Sequence, residues 1–470
     1  MRSTYKIIDM ALQSPVQPAD FFNESYLKDL FDRSIRKKKG GGRDHLTPDK
    51  FFARFGNDFK IIAEKCLNGT YKFSYYNEKL LLKSRNKYPR VLSIPSIRDR
   101  LVLGVLNDYL SSVFADCVNH DVPNSLMSKI ITKMNEAEGK ITFLRTDFHD
   151  FYGTIYIKML MNMLSSRISD EKIKFLIYSA ITTPTISGHK PHKVIGKPKF
   201  GIPQGLAISN ILASIYMMSF DKEFGEKSAD LYIRYVDDIL FLNPHPATIK
   251  IRMVKEIRAR NLRLRLSPEK CKSGVVGKDI LDFIGYVITD KDHVFIRERN
   301  VTNFLTRVAS MVTRFKEGLD NPYLRPQFIK EDDEYKDFYI AELNQLISGF
   351  KYGRHLYGWL PYFQAITDVA SLYGMDRIIR KRLFKSLPIE MSNQVNTLVD
   401  TYYAIRRQGG GSIVKDYDAL ETITDKKQLL AKKGRIDVRR TYTDEQIIQN
   451  FDSYMDFIKN RSEQNIGVIS

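Results

Sequence analysis

Residues 231–242 read LYIRYVDDILFL, two short β-prone runs with a pair of aspartates between them. Tyr, Ile, Val, Leu and Phe dominate the flanks, so the pattern predicts two strands of a hairpin with Asp237 and Asp238 at its turn. Two carboxylates on one tight turn repel each other and shed hydration poorly. On its own such a pair is an ordinary solvated turn, but a third aspartate, Asp147, closes the run ITFLRTD, read as another strand. Carboxylates gathered from two strands suit hard divalent cations, and phosphoryl transfer uses such sites: one ion activates the attacking oxygen and the other neutralises the leaving group.

The surrounding blocks extend this pattern. RVLSIPSIRDRLV, TDFHDFYGTI, GIPQGLAISN, RYVDD, LSPEKCK and FIGY follow one another across residues 90–286. In this order they resemble the reverse transcriptases, over roughly residues 44–300 and again over 350–385. The resemblance implies an α+β right-hand polymerase, with fingers, palm and thumb and a mostly helical C-terminal region. The expected organisation is an N-terminal extension to residue 48, fingers over 49–140, and a palm over 141–298 that carries inserted finger helices at about 156–215. A helical thumb over 299–390 and a helical extension over 391–470 would complete it.

Site residues follow from the same resemblance. Asp147 and Asp237 are expected to ligate two Mg²⁺ ions, with Asp238 in support. Asp150 reads as solvated or structural. Lys83 and Arg90, in the basic stretch YKFSYYNEKLLLKSRNKYPRVLSIP, would clamp the triphosphate of the incoming nucleotide. Tyr152, five residues past Asp147, stands where the family packs an aromatic ring on the nucleotide sugar; a ring there collides with a 2′-hydroxyl and selects deoxynucleotides. In GIPQG, Pro203 fixes the backbone, Gly201 and Gly205 clear space for a base pair, and Gln204 can donate to the sugar or phosphate. Ser209 and Asn210 read as capping or packing residues of the next helix. Lys270 lies where the family carries a lysine near the triphosphate, although Ser267 departs from the commoner asparagine and Lys272 is a rival. Asp99 and Arg100 look like a structural pair at a helix start, and FIGY, 283–286, resembles the primer-grip hairpin.

Beyond it, Val301, Phe304, Leu305, Val308, Met311, Val312 and Phe315 recur at three-and-four spacing, which predicts a helix with one buried face. Arg307 and Arg314, seven apart, share an outer stripe that could track a duplex backbone. Trp359, the only tryptophan, lies in a segment resembling the thumb of bacterial intron-type enzymes. RKKKGGGRD at 36–44 and RRQGGGS at 406–412 read as breaks, the second before a charged tail of helical patches.

Composition supports nucleic acid as a partner. The 470 residues hold 74 basic against 55 acidic side chains, a formal charge of +19, with 12% aromatic residues; phosphates bind basic surfaces through counterion release and rings stack on bases. Cys66, Cys117 and Cys271 have no zinc or disulfide spacing, which fits a reducing cytoplasm. No run of about 18 apolar residues predicts a membrane span, and the N-terminal residues do not read as a signal peptide. The expected partners are an RNA template, in particular a noncoding RNA, a DNA product and deoxynucleoside triphosphates; a homo-oligomer is compatible with the sequence. No His-Asn-His nuclease block and no Val-Thr-Gly thumb signature is found, which leaves the defence-associated, abortive-infection reverse transcriptases as the expected subgroup. Protein-primed or untemplated DNA synthesis, an intron maturase, and a non-catalytic RNA scaffold are the alternatives.

Overall fold

The computed structural model describes residues 16–36, 42–81, 88–118, 122–187, 196–226, 231–243, 245–437 and 439–466. Helices alternate with four small sheets, so the class is α+β as expected. Two compact units interleave along the chain. The first comprises Met1–His120, Thr146–Ile239 and Pro244–Cys271, and the second Asp121–Arg145, Leu240–Asn243 and Lys272–Ser470.

In the first unit, β1 (Tyr76–Leu81) pairs antiparallel with β2 (Arg90–Ile94), which sets Leu81 opposite Arg90. The helix Pro48–Phe55 starts as its sequence signal requires: Thr47 accepts from the Lys50 amide and Pro48 follows at the first helical position. The helix Ile97–Val113 is capped by Ser96, whose side chain accepts from the Asp99 amide. Asp99 is fully buried and accepts from the Tyr71 hydroxyl at 2.7 Å and the Ser74 amide at 3.1 Å. Its cationic neighbour is Arg98, not Arg100, which donates instead to the Pro95 carbonyl. Tyr71, Asp99 and Arg98 thus form the cluster at this helix start, while the Arg100 guanidinium is turned to the Pro95 carbonyl.

Next along the chain, β3 (Thr142–Asp147) ends on Asp147 as the sequence predicts. A two-residue strand, β4 (Thr185–Ile186), joins β1 in parallel. β5 (Leu231–Tyr235) and β6 (Asp238–Leu242) form the predicted hairpin, and with β3 and β7 (Lys272–Val275) they make one sheet in the order β5-β6-β3-β7. Ile239, Leu240, Phe241 and Leu242 are all buried, which is why this apolar run sits inside the sheet rather than at its edge. The hairpin turn differs from expectation. Val236 and Asp237 occupy it, and Asp238 is already the first residue of β6.

The second unit holds β8 (Leu281–Phe283), β9 (Tyr286–Ile288) and β10 (Val294–Ile296) in one antiparallel sheet. Ile284 and Gly285, both at positive φ, make the tight turn inside FIGY. The Gly285 carbonyl accepts from the Arg297 amide at 2.9 Å, which ties the turn to the start of the helix Glu298–Asp320. That helix covers the predicted periodic segment. Phe304, Val308, Met311, Val312 and Phe315 are buried, while Val301 and Leu305 lie at the margin of the face. Trp359 stacks on Phe304 with ring centroids 4.3 Å apart.

RRQGGGS is a helix terminus rather than a boundary. The helix Leu398–Gln408 ends on left-handed Gly409, and the chain enters β12 (Lys415–Asp416), which pairs with β11 (Phe350–Tyr352). The tail then closes a core of Phe350, Tyr417, Leu430, Phe451, Tyr454 and Met455. Its charged composition hides an apolar stripe at helical spacing. Among the described residues no helix is long and apolar enough to cross a membrane.

Candidate active site

Asp147 is 2% exposed at the end of β3, where its carbonyl accepts from the Ser267 amide. One carboxylate oxygen, Oδ2, accepts from the Lys270 ammonium; the other, Oδ1, is buried with no hydrogen-bond partner. An orphaned carboxylate oxygen inside a protein is costly. It is the kind of atom that a cation satisfies.

Asp237 presents its carboxylate from the turn between β5 and β6. Burial, then the charges of Asp147 and Asp238, push its pKa from the ordinary 3.8 up to about 6, against the smaller opposing influence of Lys270. Three like charges therefore sense one another here. Among the described residues no group of three acidic, His or Cys side chains is preassembled as a metal cage. The donor set still fits hard dications: hard oxygen ligands, an unpartnered buried oxygen, and mutual repulsion that a divalent charge would relieve.

The turn itself is strained. Val236 has φ +60°, rare for a β-branched residue. Arg234 holds it there by donating from Nη1 to the Val236 carbonyl at 2.7 Å. The same guanidinium forks onto Asp221, with Nε to Oδ1 at 2.7 Å and Nη2 to Oδ2, and Tyr232 donates to the first of these oxygens at 2.6 Å. Burial disfavours the Arg234 charge, yet Asp221 more than compensates and keeps the group protonated. Sequence reasoning did not single out this triad. Its signal was present, since Tyr232 and Arg234 are two apart on one strand and so face the same way.

Tyr152 lies on the short helix Phe151–Thr154 and donates to Asn210 Oδ1 at 2.6 Å. Its phenol is pushed up to about 12 by burial and then by Asp237. Asp150 is exposed, with left-handed backbone, at the cap of that helix, consistent with the structural role read for it.

The GIPQG loop is stitched to its surroundings through its backbone. The Ile202 amide donates to the Tyr152 carbonyl at 2.9 Å and the Ser93 amide to the Gln204 carbonyl at 2.7 Å. Gly201 and Gly205 both have positive φ, and a Cβ at either would lie 3.1 or 3.2 Å from a backbone oxygen of Gly153 or Ser93. Gln204 and Arg90 line an open groove of about 540 Å³ together with Ser93, Asp150, Gly153 and Pro203. Lys83 lies outside the described residues. Lys270, expected near the triphosphate, sits on Asp147. Arg307 and Arg314 belong to the second unit, where Arg307 is half-buried and Arg314 exposed, so they do not form one evenly exposed stripe.

Part of the chain is similar to known proteins. Residues 81–288 match the family model described as reverse transcriptase (RNA-dependent DNA polymerase). Protein YkfC of Escherichia coli K12 is 22% identical over 299 residues, covering 53% of this chain and 76% of that protein. The group II intron-encoded protein LtrA of Lactococcus lactis is 24% identical over 196 residues, 40% of this chain, which spans only 32% of LtrA. Among solved structures, telomerase from Candida albicans in complex with a fragment of telomeric RNA aligns at 12% identity and a TM-score of 0.43, covering 76% of this chain and 69% of that one. The similarity to the reverse transcriptase family thus covers residues 81–288, somewhat less than half of the chain.

Proposed function

We propose that the protein copies RNA into DNA at the site formed by Asp147, Asp237 and Asp238. The observation that carries this reading is the unpartnered, buried Oδ1 of Asp147 beside a carboxylate whose pKa its neighbours raise to about 6. Two Mg²⁺ ions held by Asp147 and Asp237, with Asp238 in support, would supply activation of the primer hydroxyl and neutralisation of the departing pyrophosphate.

The chain's own residues do the positioning. Arg90 places positive charge on the groove, and Lys83 is proposed to join it on the triphosphate. Gln204, fixed through its backbone to β2, donates to the sugar or phosphate. The Tyr152 ring stands against the sugar and excludes a 2′-hydroxyl. Lys270 neutralises Asp147 in the free protein and is positioned to protonate the leaving group. Arg307 and Arg314 are proposed as backbone contacts for the template–primer duplex.

The biological setting proposed is antiphage defence in the cytoplasm, with a dedicated noncoding RNA as template. It is supported by the resemblance of the block order to that of the defence-associated reverse transcriptases, which likewise join a polymerase core to a helical end. An intron-maturase role is the second reading, favoured by the likeness to LtrA, which is named as group II intron-encoded.

Sequencing the RNA and new DNA that copurify with the protein, with and without phage, tests both readings. DNA complementary to one bound RNA, lost in Asp237→Ala/Asp238→Ala, is the expected result. Bound intron RNA with no DNA would favour the maturase, and DNA unrelated to any bound RNA would overturn templated synthesis.

A further inference from the structure

Tyr152 is fastened to one segment of chain through both its backbone and its side chain. Its carbonyl accepts from the Ile202 amide at 2.9 Å, inside the GIPQG loop. Its hydroxyl donates to Asn210 Oδ1 at 2.6 Å, on the first turn of the helix Ser209–Glu226. The stretch between these two anchors is itself braced, because Ser209 Oγ donates to the Pro203 carbonyl at 2.6 Å. Loop, helix start and aromatic ring therefore form a closed circuit of hydrogen bonds.

Bulk alone does not explain the hydroxyl. A phenylalanine would fill the same volume, and the ring already packs edge-on against Phe151 with centroids 5.5 Å apart. The hydroxyl adds a directional bond, and that bond restricts rotation of a ring carried on a four-residue helix, an element too short to be rigid by itself. A ring free to swing could yield to a 2′-hydroxyl. A ring held by its tip cannot do so without breaking the bond.

We infer that Asn210 is a specificity-determining positioning residue: it latches the Tyr152 ring in the attitude that excludes ribonucleotides. The inference rests on the proposed role of Tyr152 in sugar selection. The latch explains why an exposed asparagine stands at the second position of this helix, where it contributes nothing to the core.

The test is the ratio of kcat/KM for a deoxynucleotide to that for the matching ribonucleotide in single-nucleotide extension by the full chain. A ratio is independent of the active fraction, so a general folding defect does not move it. Asn210→Leu and Tyr152→Phe are each expected to lower the ratio about tenfold, and the double variant no further, because both remove the same bond. Asn210→Asp keeps an acceptor and is expected to stay within about twofold of wild type. Tyr152→Ala removes the ring and is expected to lower the ratio beyond either. If Tyr152→Ala relaxes selection while Asn210→Leu and Tyr152→Phe leave it within twofold, the latch is refuted and the gate stands. If Tyr152→Ala changes nothing, the gate falls and the latch with it. Should Asn210→Leu fail to fold, Tyr152→Phe decides, since it deletes one oxygen. A wild-type chain that incorporates no nucleotide would overturn the function and the latch together.

Discussion

Replacing Asp237 with asparagine should stabilise the cation-free protein at neutral pH, although it removes a proposed metal ligand. The folded state raises the Asp237 pKa from 3.8 to about 6, with burial first among the causes and the charges of Asp147 and Asp238 next. For an acid whose folded pKa is raised, the associated stability is fully present below the unfolded value and is lost as pH rises through the folded one. The shift corresponds to about 3 kcal/mol. Asp237 is only half-buried, and partial solvent screening reduces the expected figure to about 2 kcal/mol. Asparagine keeps the shape and drops the charge, so the variant escapes this cost.

The assay is thermal unfolding in EDTA from pH 4 to pH 7.5. Asp237→Asn should melt about 4 °C above wild type at pH 7.5. Near pH 5 the difference should fall by about half, and near pH 4, where both folded forms are neutral at this position, it should nearly vanish. Added Mg²⁺ should raise the wild type and leave the variant almost unmoved. A variant less stable than wild type across the whole range, or a difference independent of pH, would refute the electrostatic account of this site.

Three further outcomes follow from the same geometry. Asp221→Asn should destabilise the first unit by about 3 kcal/mol by stranding the buried Arg234 guanidinium; combined with Arg234→Gln the loss should fall short of the sum by at least about 1 kcal/mol in denaturant unfolding, whereas additive losses would mean the two act independently. Gly205→Ala should cost about 1–3 kcal/mol, because φ is +98° and the new Cβ would lie 3.2 Å from the Ser93 carbonyl oxygen; an unchanged melting temperature would contradict the strain. Glu342→Gln should unfold the second unit more readily by about 3 kcal/mol, since Glu342 pairs with Lys433 at 2.8 Å and Arg461 at 2.6 Å. Against the raising effect of burial, these two cations hold its carboxyl below the usual range, so its contribution is present above the unfolded pKa and is lost as pH falls. A wild-type acid-unfolding midpoint no different from that of the variant would refute this.

Features carried by local pattern could be read from the chain, and features carried by pairing could not. The strand ending at Asp147, the hairpin at 231–242 and the helix across 301–315 each follow from alternation or helical spacing within a few residues. The turn was misplaced by one residue because a β-branched valine at φ +60° violates the local rule. Arg234, reaching the Val236 carbonyl while anchored on Asp221 thirteen residues upstream, braces that conformation. Asn210 escaped for the same reason, since an asparagine at a helix start is most simply a cap until the partner 58 residues away is known. Lys270 and Asp147 are 123 residues apart, so no window along the sequence could foresee the ion pair between them. Both unforeseen devices act on residues the motifs had already marked: Arg234 on the turn that carries Asp237, Asn210 on the ring of Tyr152. Motif spacing thus names the groups that would meet the substrate, while the restraints that aim them are recorded only in long-range contacts, and it is those restraints that should separate this chain's fidelity from that of another sharing the same blocks.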